Sequence, residues 1–365
     1  MERKKHWRVD IITIYDPYPN YGNRLQNFAV QEVLKNMGFD VVTISFEKKI
    51  ILGSQKLKYY IQYLSGNRLP GNKEYWKLKA PKIMAFEKFN KKYINTIQIK
   101  SVDEIRHADY YVIGSDQVWN PEWYGNCPLK KDMFLLTFAK PEQKVCFSPS
   151  FGVETLPVEW IPWFKKCLET FPYISVREMA GAQIIKELTG NTAEVLIDPT
   201  LMLDAEKWKS MSYCPKDVDC QKNYILVYFL GGLSEKAKED IDKYALELGA
   251  EVYNLLEVSQ PALYKTDPFE FVYLISKAKL IITDSFHACV FSFIFHKPFL
   301  VYDRKGTNSM MSRMDTFLYK FDLRRKYVFS GLSNELTECN YKAGYDKLKI
   351  ERDKVMSFLK QSMNL

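Results

Sequence analysis

Apolar residues in this chain come in short runs, separated by stretches in which they recur every three or four positions. "RVDIITIY" is the first run, and it ends in the turn-forming "DPYPNYGN". From Arg24 the spacing becomes helical: Leu25, Phe28, Ala29, Val33, Leu34 and Met37 share one face, and Gly38 supplies a stop. "FDVVTISF" is then a second strand. The opening therefore predicts a βαβ unit whose turn at 20–23 lies at the carboxyl edge of a parallel sheet.

A basic helical segment over 47–100 follows, after which strands return as "ADYYVIG", "KVCFSPSFG", "YISVRE" and "AEVLIDPTLML", with a helix predicted over 178–188. "WKSMSYCPKDVDCQKN" reads as a linker. Beyond it a second set begins: "YILVYFLGG", a helix over 234–248, "AEVYNLL", a helix "PFEFVYLISKA", "LIITDS", a helix from near His287, and "KPFLVYD". Leu348, Val355, Leu359 and Met363 are in phase for a terminal amphipathic helix. The expected fold is α/β, with two Rossmann-like doubly wound domains facing across a cleft. The first would span 1–200 and the second 201–345, with the last helix over 346–365.

Composition agrees with a two-domain globular chain: 365 residues, 47% hydrophobic and 26% charged. There is no apolar run of the roughly 18 residues that would span a membrane, and "MERKKHWRVDIITIYD" lacks a signal-peptide core, so a cytoplasmic protein is expected. The seven cysteines show neither CxxC pairing nor zinc spacing and are expected to be reduced thiols. Cys289 lies two residues from His287, but residues two apart at a strand-to-helix turn point in different directions, which weighs against a Cys/His nucleophile.

The net charge of +8 is uneven. Over 47–100 there are 13 Lys or Arg against 3 Glu, interleaved with Tyr59, Tyr60, Tyr63, Tyr75, Trp76, Phe86, Phe89 and Tyr93. Such a segment suits an anionic surface, either a membrane leaflet or a nucleic acid. The alternative is a solvated helix face with its aromatics in the core.

Neither GxGxxG nor a Walker loop is present, and "FLGGL" is either a phosphate-admitting loop or a plain tight turn. Four strand ends are polar: "PNYGN", "GSDQVWN", "SVRE" and "DSFH". They supply Asn20, Asn23, Ser115, Asp116, Gln117, Asn120, Arg177, Ser285 and His287 where α/β ligands bind, although Asp284 and Ser285 are equally placed to cap a helix. His287 is one of only four histidines. An imidazole's ordinary pKa of about 6.5 lets it exchange a proton near neutrality. His296, inside an apolar run, reads as structural.

Together "NYGNRLQNFAVQEVLKNMGFDV", "YYVIGSDQVWNP", "ISVREMAGAQIIKELTG", "VLIDPTLML", "ITDSFHACVFSFIFHKPF" and "NSMMSRMDTFLYKFDL" resemble the polysaccharide pyruvyl transferase family, in the family's order, from Ile11 to about Arg325. The chain departs from many relatives at Ala288, where they carry Gly, and from some at Asn23, where they carry Asp or Ala. The resemblance implies a fold similar to the glycosyltransferase-B type. It also implies transfer of pyruvate from phosphoenolpyruvate to two sugar hydroxyls as a cyclic ketal, in the biosynthesis of a capsular or other surface polysaccharide.

That reaction asks for an acid, a base and anion clamps, with phosphoenolpyruvate as co-substrate and neither metal nor cofactor. His287, Asp116 and Arg177 are then the expected catalytic residues. Arg177, Ser285, His287, Arg304, Lys305 and Arg313 are expected on the donor, with Arg177 alternatively paired to Asp198 or Glu178. Asn20, Gly22, Asn23, Ser115, Gln117, Trp119 and Asn120 are expected on the acceptor, with Trp119 alternatively in the core. The expected acceptor is a lipid-linked oligosaccharide at the inner face of the membrane, touched through the basic segment, and no nucleic acid is expected. The rivals are a sugar-nucleotide glycosyltransferase of the same architecture and a nucleic-acid-binding module.

Overall fold

The computed structural model describes residues 7–15, 19–46, 73–125, 127–305, 311–329 and 341–365, with side chains from Ala80 onward in the helix that starts at Lys73. Strands β1 (Arg8–Ile12), β2 (Asp40–Ser45), β3 (Thr96–Gln98), β4 (Tyr110–Ile113) and β5 (Lys144–Cys146) form a parallel sheet in the order β3-β2-β1-β4-β5. Strands β6 (Ser175–Val176) and β7 (Glu194–Val195) pair separately. Strands β8 (Tyr224–Tyr228), β9 (Glu251–Asn254), β10 (Leu280–Thr283) and β11 (Phe299–Val301) form the second parallel sheet, ordered β11-β10-β8-β9. Every residue of β4, β8 and β10 is buried, which is why these strands read as unbroken apolar runs rather than alternations.

The expected α/β class and two parallel sheets are present, with two local corrections. The first helix spans Tyr21–Asn36, three residues earlier than its apolar spacing suggests. Asn20 is the N-cap, its side chain accepting from the Asn23 N–H at 3.1 Å, so Gly22 and Asn23 lie in the first helical turn and not in a loop. The expected strands "YISVRE" and "AEVLIDPTLML" make their own two-stranded ladder instead of extending the main sheet.

The presumed linker is also more structured than its composition suggests. Its first four residues complete the helix Ala205–Met211, whose Trp208 is fully buried between Phe28 of the first half and Phe291 of the second, with ring centroids 5.7 and 4.9 Å away. Cys214 and Cys220 form a disulfide, correcting the expectation that all the thiols are reduced. The intervening "PKDVD" turns the chain back until the two Cα atoms are 6.4 Å apart.

Residues 47–72 of the basic segment, with Tyr59, Tyr60 and Tyr63, lie outside the described residues, as do the side chains of Tyr75 and Trp76. The remainder comprises strand β3 and the helix Lys73–Tyr93, which buries Phe86 and Phe89 against Tyr21 and Phe269. There the core alternative describes the aromatics. Lys82 is buried too, its ammonium over the rings of Tyr21 and Tyr264, and burial pulls its pKa down to about 7. Among the described residues no helix is long and apolar enough to cross a membrane.

The last helix, Lys342–Ser362, returns to the first half. Arg352 donates to the carbonyls of Leu201 and Leu203 at 2.7 and 2.9 Å, and the Tyr110 hydroxyl of β4 donates to the Met363 carbonyl.

Candidate active site

The carboxyl ends of β1, β4 and β10 bring the site together. Thr283 ends β10, Ser285 caps the helix Phe286–Ile294 by accepting from the Ala288 N–H at 3.5 Å, and His287 falls in that helix's first turn. Its imidazole lies directly on Gly22, in the first turn of the opposing helix: a Cβ built at Gly22 would sit 2.0 Å from His287 Nδ1. Gly22 therefore does something its sequence context did not suggest. It leaves the space into which the second half inserts its histidine.

On its other edge, His287 Nε2 is 3.6 Å from Asp198 Oδ2, just beyond hydrogen-bond reach, and has no hydrogen-bond partner among the described residues. Asp198 is the hub of the site. Its Oδ2 accepts from Arg177 Nη1 at 2.6 Å and Ser115 Oγ at 3.0 Å, and its Oδ1 accepts from the Thr200 N–H and hydroxyl at 2.9 and 2.7 Å. Burial acts to raise its pKa, but His287, Arg177 and Thr200 overcome burial and hold the carboxyl far below its ordinary value.

Arg177 therefore does pair with Asp198, the structural alternative open in the sequence, yet that pairing uses one nitrogen. Its Nε and Nη2 are buried without hydrogen-bond partners among the described residues. The guanidinium lies over the Phe286 ring at 4.8 Å, and Arg313 faces the same ring at 6.0 Å. Burial and repulsion by Arg177 lower Arg313 to about 9, against the pull of Asp116 and Glu178. A small cavity adjoins the cluster, with Phe286, Arg313, Thr316 and Lys320 in its wall.

Asp116 reaches the cleft in the left-handed region, φ 84°, a strained conformation for a residue with a side chain. Its Oδ2 accepts from Asn23 Nδ2 at 3.1 Å, its Oδ1 accepts from the Gln117 N–H at 2.8 Å, and Arg177 Nη2 stands 4.0 Å away. Burial again works to raise the pKa, but Arg177, His287, Arg313 and Asn23 prevail and keep it lowered.

Other expected site residues serve the scaffold. Trp119 is 0% exposed, its indole N–H donating to the Phe134 carbonyl at 2.9 Å, so it is a core residue and not a sugar contact. Asn120 is buried and caps the short helical turn Pro121–Trp123 by accepting from the Glu122 N–H at 3.0 Å. Asn20 and Ser285 are caps, and Ser115 serves Asp198. Lys305 donates to the Leu233 carbonyl at 2.9 Å, out on the glycine loop.

That loop is the plain turn of the two options. Asp284 accepts from the N–H groups of Leu230 and Gly231 at 2.7 and 2.8 Å, so these amides are already engaged, and Arg304 braces the same carboxylate at 3.4 Å. Cys289 is fully buried and its thiol is pushed well above the ordinary range, which leaves it inert. His296 packs against Tyr341 and Tyr345.

Glu178 is offered by the sequence as an alternative partner for Arg177. It instead accepts from Ser150 Oγ, Phe151 N and Gly152 N at 3.0, 2.8 and 3.1 Å, fastening the loop beyond β5. Its position directly after Arg177 at the end of β6 was the available signal.

No curated protein matches this chain. Solved structures similar to it include a UDP-GlcNAc 2-epimerase from Neisseria meningitidis, 12% identical with a TM-score of 0.44, covering 96% of this chain and 99% of that one. Another is the ADP-heptose LPS heptosyltransferase II of E. coli, 10% identical with a TM-score of 0.37, covering 95% and 99%. These likenesses are shallow, and the chain's own two parallel sheets define its fold. The family model is decisive: that of the polysaccharide pyruvyl transferases matches residues 20–306, from the Asn20 cap through Asp116, Arg177, Asp198 and His287 to the end of the second sheet, and the chain belongs to that family.

Proposed function

We propose that this protein transfers pyruvate from phosphoenolpyruvate to two hydroxyls of a sugar, forming a cyclic ketal on a surface polysaccharide or its lipid-linked precursor. The observation that carries the reading is a pair of buried donors on Arg177, beside Nε2 of His287, all without a hydrogen-bond partner among the described residues. Donors buried in this way cost stability, and an anion accepting from them recovers it in charge-assisted hydrogen bonds. Phosphoenolpyruvate brings two anionic groups, a carboxylate and a phosphate.

In the reaction C3 of the enol gains a proton, C2 becomes electrophilic, and the first sugar hydroxyl adds to C2 as it loses its proton. The C2–O bond to phosphate then breaks, and the second hydroxyl closes the ring on C2. One hydroxyl proton is balanced by the proton gained at C3, and the other leaves with phosphate. His287 is the group that moves protons at the donor. Arg177 and Arg313 hold the donor's charge. Asp116, kept ionised, accepts from an acceptor hydroxyl and orients it, with Asn23 fixing the carboxylate. A lipid-linked acceptor would bring the enzyme to the inner face of the membrane, with the basic segment as its contact.

Thermal unfolding with phosphoenolpyruvate, and with a nucleotide sugar as control, tests the reading. A ligand at 100 times its Kd adds about 2.7 kcal/mol to the folded state. Phosphoenolpyruvate should raise the Tm of the wild type, and raise that of His287→Ala less. A shift with the nucleotide sugar alone would replace this function by that of a sugar-nucleotide glycosyltransferase.

A further inference from the structure

Two tryptophans four residues apart leave β4, and they have opposite environments. Trp119 is fully buried, whereas Trp123 is 44% exposed. An exposed indole is ordinarily a loose one, but Trp123 is not. Its Nε1 donates to Gln117 Oε1 at 2.8 Å, and its carbonyl accepts from Lys130 Nζ at 3.1 Å. Gln117 is itself buried and wedged against Gly152, where a Cβ would come within 2.7 Å of the amide carbon. Gly152, at φ +66°, is tied down by Glu178 through its N–H. The Gln117 N–H in turn donates to Asp116.

A chain of contacts therefore runs from the carboxylate that faces the acceptor to an exposed aromatic ring, and it fixes the ring's orientation. The hydrogen bond to Gln117 satisfies the indole's one polar atom and leaves its faces for apolar contact. A rigid, flat, exposed ring with its N–H already satisfied suits the C–H face of a pyranose, since little freedom is lost on stacking. Gln117 joins the ring to Asp116, its N–H donating to the carboxylate and its side-chain oxygen accepting from the indole.

From this we infer that Trp123 is the platform for a second sugar unit of the acceptor, adjacent to the one that receives pyruvate. The inference rests on the pyruvyl transfer proposed above for its account of Asp116. Trp123 is a specificity-determining residue here and takes no part in the chemistry.

The test is fluorine NMR of the protein labelled with 5-fluorotryptophan, the Trp123 line being identified by its absence from Trp123→Phe. Cellobiose, lactose and N-acetyllactosamine are titrated against the corresponding monosaccharides, with the phosphoenolpyruvate thermal shift measured on the same samples. A disaccharide should move the Trp123 line and leave that of buried Trp119 in place. With a disaccharide that is pyruvylated, Trp123→Ala should raise the acceptor KM about tenfold with the phosphoenolpyruvate KM unchanged, and Trp123→Phe should keep most of the affinity.

If no disaccharide moves the line while phosphoenolpyruvate stabilises the protein, the platform is refuted and the proposed function stands. If the line moves but phosphoenolpyruvate has no effect, the saccharide platform stands and the donor assignment falls. Equal shifts with monosaccharides and disaccharides would overturn the claim of a second sugar unit.

Discussion

The two helices that meet at the cleft bury themselves by different means. The Tyr21–Asn36 helix carries Gln26, Asn27 and Gln31 on its buried side, and each makes at least one hydrogen bond across to the sheet side. Gln26 donates to Thr13 Oγ1, Asn27 accepts from Thr43 Oγ1 and Gln31 donates to Thr43 Oγ1, all at 2.8 Å, and Gln31 also donates to the Asn95 carbonyl at 3.0 Å. The Phe286–Ile294 helix is buried along its whole length among apolar neighbours. Its Ser292 hydroxyl turns back to the Ala288 carbonyl at 2.7 Å, so His287 is the polar side chain it presents outward. A polar network permits one rotation and one register, whereas apolar packing tolerates small shifts. The first helix thus holds Gly22 in a fixed place, and the second brings His287 to it.

The largest expected effect tests what holds the histidine side of this contact. Asp198→Ala should destabilise the protein by about 3–5 kcal/mol in denaturant unfolding, because Arg177 is left buried without its partner. The pH dependence follows from the lowered pKa. In the wild type the stabilisation from Asp198 is full above the unfolded value of about 3.9 and is lost as the pH falls toward the depressed folded value. The variant should lack that part of the acid limb, and an unchanged limb would remove Asp198 from the centre of the site.

Gly22→Ala comes next and sharpens the comparison directly. The added methyl group meets the imidazole and should cost about 1–3 kcal/mol. Combining it with His287→Ala should recover most of that loss, a coupling between residues 22 and 287 readable in a double-mutant cycle. Strict additivity would mean the two helices do not touch in this way.

Gln31→Leu should cost somewhat less, about 1–2 kcal/mol, by stranding groups at Thr43 and Asn95. If the first helix's polar residues are scaffold, phosphate release from phosphoenolpyruvate should keep its KM for the donor. A raised donor KM would break the distinction drawn between the helices.

Much of this could be read from the chain. Parallel strands buried on both faces leave continuous apolar runs, so both sheets stood out, and the polar strand ends pointed to Asp116, Arg177 and His287. What could not be read depends on partners far away in sequence. Gly22 in "NYGN" looks like any turn glycine, since the ring that requires it comes 265 residues later. Asp198 in "DPT" looks like a cap, which it also is for Thr200, and its bonds to Arg177 and Ser115 exist only in the folded site. Trp119 and Trp123 share one irregular stretch, where no periodicity separates inside from outside.

The return of the Lys342–Ser362 helix also bears on the order of synthesis. β1 to β5 are encoded before residue 147, yet β4 keeps its Tyr110 bond to Met363, and Val355, Leu359 and Met363 are buried. A nascent chain can assemble that sheet early, but this flank stays uncovered until the second half has been made and the helix folds back. A stretch translated after the second sheet therefore closes the first, and ribosome-bound chains halted before residue 342 should expose apolar surface to chaperones that chains carrying this helix do not.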